Sequence, residues 1–142
     1  MMHTNELMIG DWVCTEHDST PRQIDWIRTG EVGLLWNKAV TPPYLVPIPI
    51  TPEILEKNGF IEDSTNGLHS EYHLLVPAGI EKNLYTVQVT FYKEPICGVS
   101  TLFKCWGPYS AGVNDIHLCN LNYVHEMQHA IRLCGVEKEI VL

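Results

Sequence analysis

Two histidines and a glutamate near the end of the sequence form the string His125-Glu126-Met127-Gln128-His129. It matches the H-E-x-x-H pattern of zinc peptidases, in which a helix carries two metal-binding imidazoles one turn apart. Side chains four residues apart on a helix are neighbours, with about 5–6 Å between their Cβ atoms, so both can reach one ion. The glutamate beside them acts as general base toward a metal-bound water. The chemistry that this spacing could perform is zinc-dependent hydrolysis.

The helix that must carry this string, residues 122–134, argues against the hydrolase. At about 100° per residue an apolar arc forms on one side, while His125, His129 and Arg132 fall on the opposite side. We therefore expect both histidines, with Gln128 nearby, on a polar edge that faces solvent. Arg132 would also place a cation where the zinc ion must lie. The apolar arc consists of Tyr123, Val124, Met127, Ala130, Ile131 and Cys134.

A third metal ligand is hard to find. A catalytic zinc site takes three protein ligands and a water, and the helix supplies two. After the helix, only Glu137 and Glu139 are plausible ligands; before it, His69, His73 or His117 could contribute. The sequence therefore favours a coincidental match, and a zinc hydrolase built on the helix string is the alternative function.

Composition limits the remaining functions. The chain has 142 residues, of which 45% are hydrophobic and 18% charged, as expected for one soluble globular domain. We predict a single domain over residues 1–142, with sub-lobes at 1–45 and 46–142 as a possible subdivision. The net charge of −8 disfavours nucleic-acid binding, because no cluster of basic residues is available to neutralise phosphates.

The cysteines and the absence of apolar runs indicate where the protein works. Five cysteines occur without any C-x-x-C pair, which favours reduced thiols in a reducing compartment. A nucleophile could be built from Cys97 or Cys119 with a histidine, but no local signature supports it. We see neither a secretory signal nor an apolar run near the ~18 residues of a membrane span. The sequence therefore predicts a cytoplasmic protein with no membrane association.

The pattern of short strands predicts an α+β fold. An N-terminal, small antiparallel β unit resembles an SH3-like barrel, and a short helix capped by Thr51 and ended by Gly59 follows it. An antiparallel meander comes next, and one C-terminal helix packs on the sheet. Predicted strands cover residues 8–14, 22–27, 31–36, 72–76, 84–92, 99–106, 115–119 and 136–142, with an edge segment at 45–50 and loops at 60–68 and 93–95.

Three tryptophans offer a candidate binding surface. Trp12, Trp26 and Trp36 occur in the three predicted strands of the N-terminal unit. They could line a groove for a peptide or a sugar. The competing interpretation is that they form the core of the unit, because buried aromatic side chains dominate core energetics.

Three stretches together resemble a known group of sequences. Residues 5–13, 47–60 and 123–128 are similar, in that order and spacing, to small uncharacterised proteins of gut bacteria and their phages or mobile elements. In that group the final helix has the pattern Tyr-Val-His-x-Leu-Gln, followed by Asn where this chain has His129. The resemblance implies no known activity, and it suggests capping or packing for His125 and Gln128.

Taken together, these patterns predict a non-enzymatic cytoplasmic binding or accessory protein, associated with a mobile element. Its partner would be a protein or a small molecule, and no cofactor is expected. Zinc on His125 and His129 with Glu126 as base, or a ligand groove lined by tryptophans, are the alternatives.

Overall fold

The described residues form two five-stranded antiparallel sheets and two α-helices, which confirms the predicted α+β class. Contacts divide the chain into two compact units, and the division falls inside the C-terminal helix. The single domain predicted from the sequence stays a prediction. The units are Met1–Pro49 with Tyr123–His125 and Leu142, and Ile50–Asn122 with Glu126–Val141. The structure, a computed structural model, describes residues 2, 4–35, 39–40, 44–77, 84–96, 98–107 and 116–142.

The sheet of the first unit has the strand order β4-β3-β2-β1-β5. The last strand of this sheet in the sequence lies at an edge of the sheet. Its prolines predict that position, because proline has no N–H to donate to a neighbouring strand. The strands are β1 (Trp12–Thr15), β2 (Asp18–Arg28), β3 (Glu31–Leu34), β4 (Ala39–Val40) and β5 (Leu45–Pro47), after a 3-10 helix at Thr4–Glu6. One face buries a cluster of Met2, Leu7, Val13, Ile24, Val32, Leu34 and Leu45.

The first helix, α1 (Pro52–Lys57), begins and ends as the sequence predicts. The Thr51 hydroxyl accepts a hydrogen bond from the Ile54 N–H at 3.3 Å, and proline occupies the first helical position. Gly59 follows the helix with a φ of 86°, the left-handed conformation that glycine adopts at low cost. Leu55 is fully buried and anchors the helix in the second unit.

The sheet of the second unit is a simple meander, in the order β10-β9-β8-β7-β6. The predicted loop over residues 60–68 is wrong, because half of it forms the edge strand β6. The predicted turn at residues 93–95 is also wrong, because β8 continues through it. The strands are β6 (Ile61–Thr65), β7 (His69–Pro77), β8 (Leu84–Ile96), β9 (Val99–Trp106) and β10 (Ile116–Asn120).

The C-terminal helix, α2 (Val124–Leu133), buries the predicted apolar arc. Met127 and Ile131 are fully buried, and Cys134 just beyond the helix contacts Cys105 of β9, so the helix lies on the second sheet. Neither α-helix in the described part of the chain is long and apolar enough to cross a membrane.

The last residues do not form the strand that their alternation predicts. Residues 136–142 pair with no strand in the described part of the chain, although Val136 and Ile140 are buried. They are held by Asn58, whose amide oxygen accepts from the Val141 N–H at 2.8 Å and whose amide nitrogen donates to the Val141 carbonyl at 2.9 Å. The side chain of Asn58, the residue that directly follows α1, therefore replaces the missing strand neighbour.

Candidate functional site

The glutamate of the helix string serves the helix itself. Glu126 lies in the first turn of α2, where backbone N–H groups have no partner within the helix. Its carboxylate oxygen Oε2 accepts a hydrogen bond from the Asn122 N–H at 2.7 Å. A carboxylate in this position also stabilises the positive end of the helix dipole. Glu126 is thus engaged as a helix cap rather than aimed at a metal-bound water.

The first histidine of the string is buried, which contradicts the predicted solvent-facing edge. His125 is 6% exposed, and its ring stacks on Tyr123 with 6.0 Å between centroids and 12° between planes. The reason is that the start of the helix is tied down: the Val124 N–H donates to the Ile48 carbonyl at 2.8 Å. Gln128 is equally buried, at 6% exposure. Of the predicted polar edge, Arg132 is exposed and His129 is half-buried.

The two indoles of the first sheet that the structure describes face away from its core cluster. Trp12 alternates with the buried Val13, and a bulge between Ile24 and Trp26 lets both Ile24 and Ile27 face the core while Trp26 does not. Both indoles are half-buried. Trp36, the third member of the predicted surface, lies outside the described residues.

The Trp26 ring is closely packed on both sides. It pairs with Gly33 across the sheet and lies so near that glycine that a Cβ there would collide with the indole. The Arg28 guanidinium lies 4.8 Å from the ring centroid. This cation–π contact holds the guanidinium against the aromatic ring.

A second arrangement of histidine and glutamate lies on β7. Side chains two apart on a strand point to the same face, so His69, Glu71 and His73 share one side of the second sheet. We call this side the ladder face; it also carries Gln88 and Thr90 of β8 and Lys104 and Trp106 of β9, as the strand register requires. The opposite side buries Tyr72, Val87, Val89, Phe103 and Cys105.

A bulge brings a second carboxylate to the ladder face. The pairing of β6 with β7 shifts between Glu62 and Ser64, which leaves Asp63 as the extra residue. A bulge re-aims the side chain of its extra residue. Asp63 Oδ2 lies 3.2 Å from His73 Nδ1 as a result.

His73 is the centre of the contacts on the ladder face. Its Nε2 lies 3.1 Å from Gln88 Oε1, and the amide nitrogen of Gln88 donates to Thr90 Oγ1 at 2.9 Å. Its ring meets Trp106 edge to face, with 6.2 Å between centroids. Lys104 places its ammonium 4.9 Å from the centroid of the same indole. The side chains are therefore fixed by one another before any ligand arrives.

Glu71 has a histidine partner of its own. His69 Nε2 lies 3.3 Å from Glu71 Oε1, and both side chains are about one-quarter exposed, at 25% and 27%. The His69 ring also meets Tyr92 edge to face at 6.1 Å. The contact with His69 constrains the position of the Glu71 carboxylate.

The ladder face contains a group of three side chains of the types that bind metals, and the helix motif does not. Within the described residues, the metal-type side chains that converge in a group of three are Asp63, Glu71 and His73, with their ligand atoms within 4.8 Å of one another. No such group includes His125 or His129 in that part of the chain. An H-x-E-x-H pattern at strand spacing was the sequence signal for His69, Glu71 and His73. Nothing in the pattern indicated Asp63.

Burial raises the pKa of the three thiols of the second unit that the structure describes, Cys105, Cys119 and Cys134. Burial raises the pKa of Cys105 to about 12, and the neighbouring Cys134 adds to the effect. Burial also raises the pKa of Cys119, with Cys134 and Glu126 contributing. A raised pKa lowers the thiolate fraction, so Cys119 is poorly suited to nucleophilic catalysis. Cys97, the other predicted nucleophile, lies outside the described residues.

A shallow cavity of about 470 Å³ lies at the tips of two hairpins rather than on the ladder face. It is lined by Gly67 and Leu68 and by residues 93–96, and its charged groups are Lys93 and Glu94. It brings together no group of three metal-type ligands among the described residues.

Comparison of the chain with protein-family models, with curated proteins and with solved structures found no match. The resemblance of residues 5–13, 47–60 and 123–128 to proteins of gut bacteria and their mobile elements therefore stays a prediction.

Proposed function

We propose that this chain is a non-enzymatic binding protein of the cytoplasm, an accessory protein of a mobile element, whose ligand surface is the ladder face. The observation that carries the proposal is the set of fixed contacts around His73: Gln88, Trp106 and Lys104 are already positioned beside it. Pre-positioned side chains lose little conformational entropy when a ligand binds, which raises affinity. The residues on the face offer hydrogen bonds, one cation and an aromatic ring, which suits a polar peptide or small molecule.

The engagement of Glu126 supports a non-enzymatic role over the zinc hydrolase. A general base must reach the water that it deprotonates, and this carboxylate is bonded to the start of its own helix. The hydrolase predicts peptide or ester hydrolysis by the purified protein with added zinc, lost in Glu126→Gln. We expect no such hydrolysis, and activity with that dependence would overturn the proposal.

A panel of short peptides and oligosaccharides, read by NMR amide shifts, tests the surface. Binding on the ladder face should shift the amides of β7, β8 and β9, and Lys104→Ala should weaken it by at least tenfold. The matched control is Arg28→Ala, which removes the equivalent cation beside Trp26 of the first sheet. Binding that is lost in Arg28→Ala and kept in Lys104→Ala would contradict the ladder face.

That control also tests the second candidate surface. Trp12 and Trp26 face away from the core cluster of the first unit, which favours a groove there. An SH3-like barrel, if the first unit is one, would present its ligand groove through such aromatic residues, and Trp36 would belong to it. Shifts confined to β1 and β2 would establish this alternative.

A further inference from the structure

We propose that Asp63, Glu71 and His73 bind one divalent transition-metal cation, with zinc or manganese as the fitting ions. The proposal does not rest on the binding function above, because its readout is the cation alone. All three side chains lie on the ladder face and offer one nitrogen and two carboxylate oxygens within 4.8 Å of one another.

The spacing of the first two ligands already suits a metal. Two ligands on a tetrahedral ion, each about 2.0–2.1 Å from it, lie about 3.4 Å apart. His73 Nδ1 and Asp63 Oδ2 are separated by 3.2 Å. The Glu71 carboxylate lies within 4.8 Å of both ligand atoms, and its side chain is 27% exposed.

The contacts of His73 provide a second and independent argument. Gln88 Oε1 is an acceptor, so the proton of a neutral His73 lies on Nε2, where it is donated to that oxygen. The lone pair of Nδ1 then faces the ligand group. Nδ1 is buried and makes no hydrogen bond with the residues that the structure describes, although a carboxylate oxygen lies 3.2 Å away. Two acceptors this close repel each other unless a proton or a metal cation lies between them.

Histidines that bind metals typically donate their other ring N–H to an oxygen, which fixes the tautomer and the ring orientation. Gln88 supplies that oxygen to His73, and Thr90 in turn holds the Gln88 amide. His69 supports Glu71 in the same way, through the 3.3 Å contact with its carboxylate. The group therefore has both its ligands and the partners that orient them.

Charge and ligand type select the ion. Two carboxylates and a neutral imidazole carry a charge of −2, which a divalent cation balances. Calcium and magnesium prefer sites made of oxygen alone, whereas zinc and manganese accept imidazole with carboxylates. The Asp63 side chain is 65% exposed, so the remaining coordination positions are open to water or to a ligand.

The competing explanation is a simple ion pair. A protonated His73 would satisfy Asp63 without a metal, and an exposed pair of this kind contributes little to stability. The two explanations differ in one measurable property, the stoichiometric uptake of a transition metal at neutral pH.

The test is isothermal titration of tag-free protein with zinc and with manganese, using magnesium as the control ion. We expect one zinc per chain, and at least 100-fold weaker binding in His73→Ala and in Asp63→Asn. Gln88→Ala should weaken zinc about tenfold, because it removes only a supporting contact. His129→Ala is the matched control and should bind as the wild type does.

Three results would overturn the proposal: no zinc uptake at 1 mM zinc, uptake that Asp63→Asn leaves unchanged, or uptake lost in His129→Ala. Manganese gives a readout that needs no variant, because it broadens the NMR signals of nearby residues. Broadening should centre on the amides of Asp63, Glu71, His73 and Gln88. Broadening centred on α2 instead would contradict the site even if a variant failed to fold.

Discussion

Two arrangements of histidine and glutamate occur in this chain, and the one with the well-known spacing is the poorer site. On α2, H-E-x-x-H places its glutamate in the first helical turn, where the carboxylate caps the helix. On β7, H-x-E-x-H places His69, Glu71 and His73 on one face, and Asp63 joins them from the next strand. The glutamate of the helix motif is used in a contact within the helix start, whereas the side chains of the strand motif are partly exposed on one face of the sheet.

The difference teaches that spacing alone does not make a site. A helix start has unpaired N–H groups that compete for any nearby carboxylate, so a glutamate there has a strong local partner. A strand in a paired sheet has no unpaired backbone groups to offer, because its N–H and C=O groups bond to its neighbours. Side chains on its outer face therefore interact with one another, or with a ligand.

The largest expected effect comes from a substitution in the buried face of α2. Met127→Ala should lower the free energy of unfolding by about 2–5 kcal/mol, because it leaves a cavity beneath the string. Leu133→Ala on the same helix is the control, and should change stability little because Leu133 is 85% exposed. Urea denaturation measures both. Equal effects of the two substitutions would show that the helix is not packed as described.

Substitution of Glu126 and of Glu71 should affect zinc stabilisation differently. If the ladder face binds zinc, zinc at 100 times its Kd should stabilise the wild type by about 2.7 kcal/mol. Glu126→Ala should keep this gain and Glu71→Ala should lose most of it. Thermal denaturation with and without zinc provides the measurement. If Glu126→Ala instead lost the stabilisation by zinc, the metal would bind at the helix motif and not on the ladder face.

The side of the sheet opposite the ladder face should respond to alkaline pH. Burial raises the pKa of Cys105 from 9.0 to about 12, so the folded state holds a proton that the unfolded state releases. The stabilisation is complete below pH 9 and is lost as pH rises toward 12, by up to about 1.4 kcal/mol per pH unit. Cys105→Ala should be less stable throughout but have a shallower slope above pH 9. Parallel stability curves would refute this account.

The smallest test compares the two glutamates without metal. Glu126→Ala should cost about 1 kcal/mol, since it removes the acceptor at the start of α2. Glu71→Ala should change stability by less than about 0.5 kcal/mol, because its partner His69 is partly exposed. Urea denaturation with a metal chelator present isolates this difference. A larger cost for Glu71 would mean that the strand string is structural as well.

Local chemistry predicts the helices of this protein well. Thr51 and Gly59 bound α1, and Gly135, with a φ of 73°, follows α2. These signals act through neighbouring residues, so the sequence contains them in full. The meander of β7, β8 and β9 is also visible, because alternation over many residues indicates a strand with one buried face.

The rest depends on partners distant in sequence. Residues 61–65 contain typical turn residues, yet they pair with β7 at the edge of the sheet, and the tertiary context overrides their local preference. Asp63 joins the candidate site only through the bulge, which no periodicity signals. A helical wheel places His125 on the solvent side, because it shows the apolar arc but not the other contacts of the first turn, such as the hydrogen bond from the Val124 N–H to the Ile48 carbonyl.

The bond pair between Asn58 and Val141 has a kinetic consequence. It joins residues 83 apart in sequence, and closing so long a loop costs entropy before the contact returns any stability. The pair should therefore form after the main barrier to folding. The Asn58→Ala variant would then unfold faster while refolding at the wild-type rate. The contact would therefore slow unfolding and set how long the second unit stays folded.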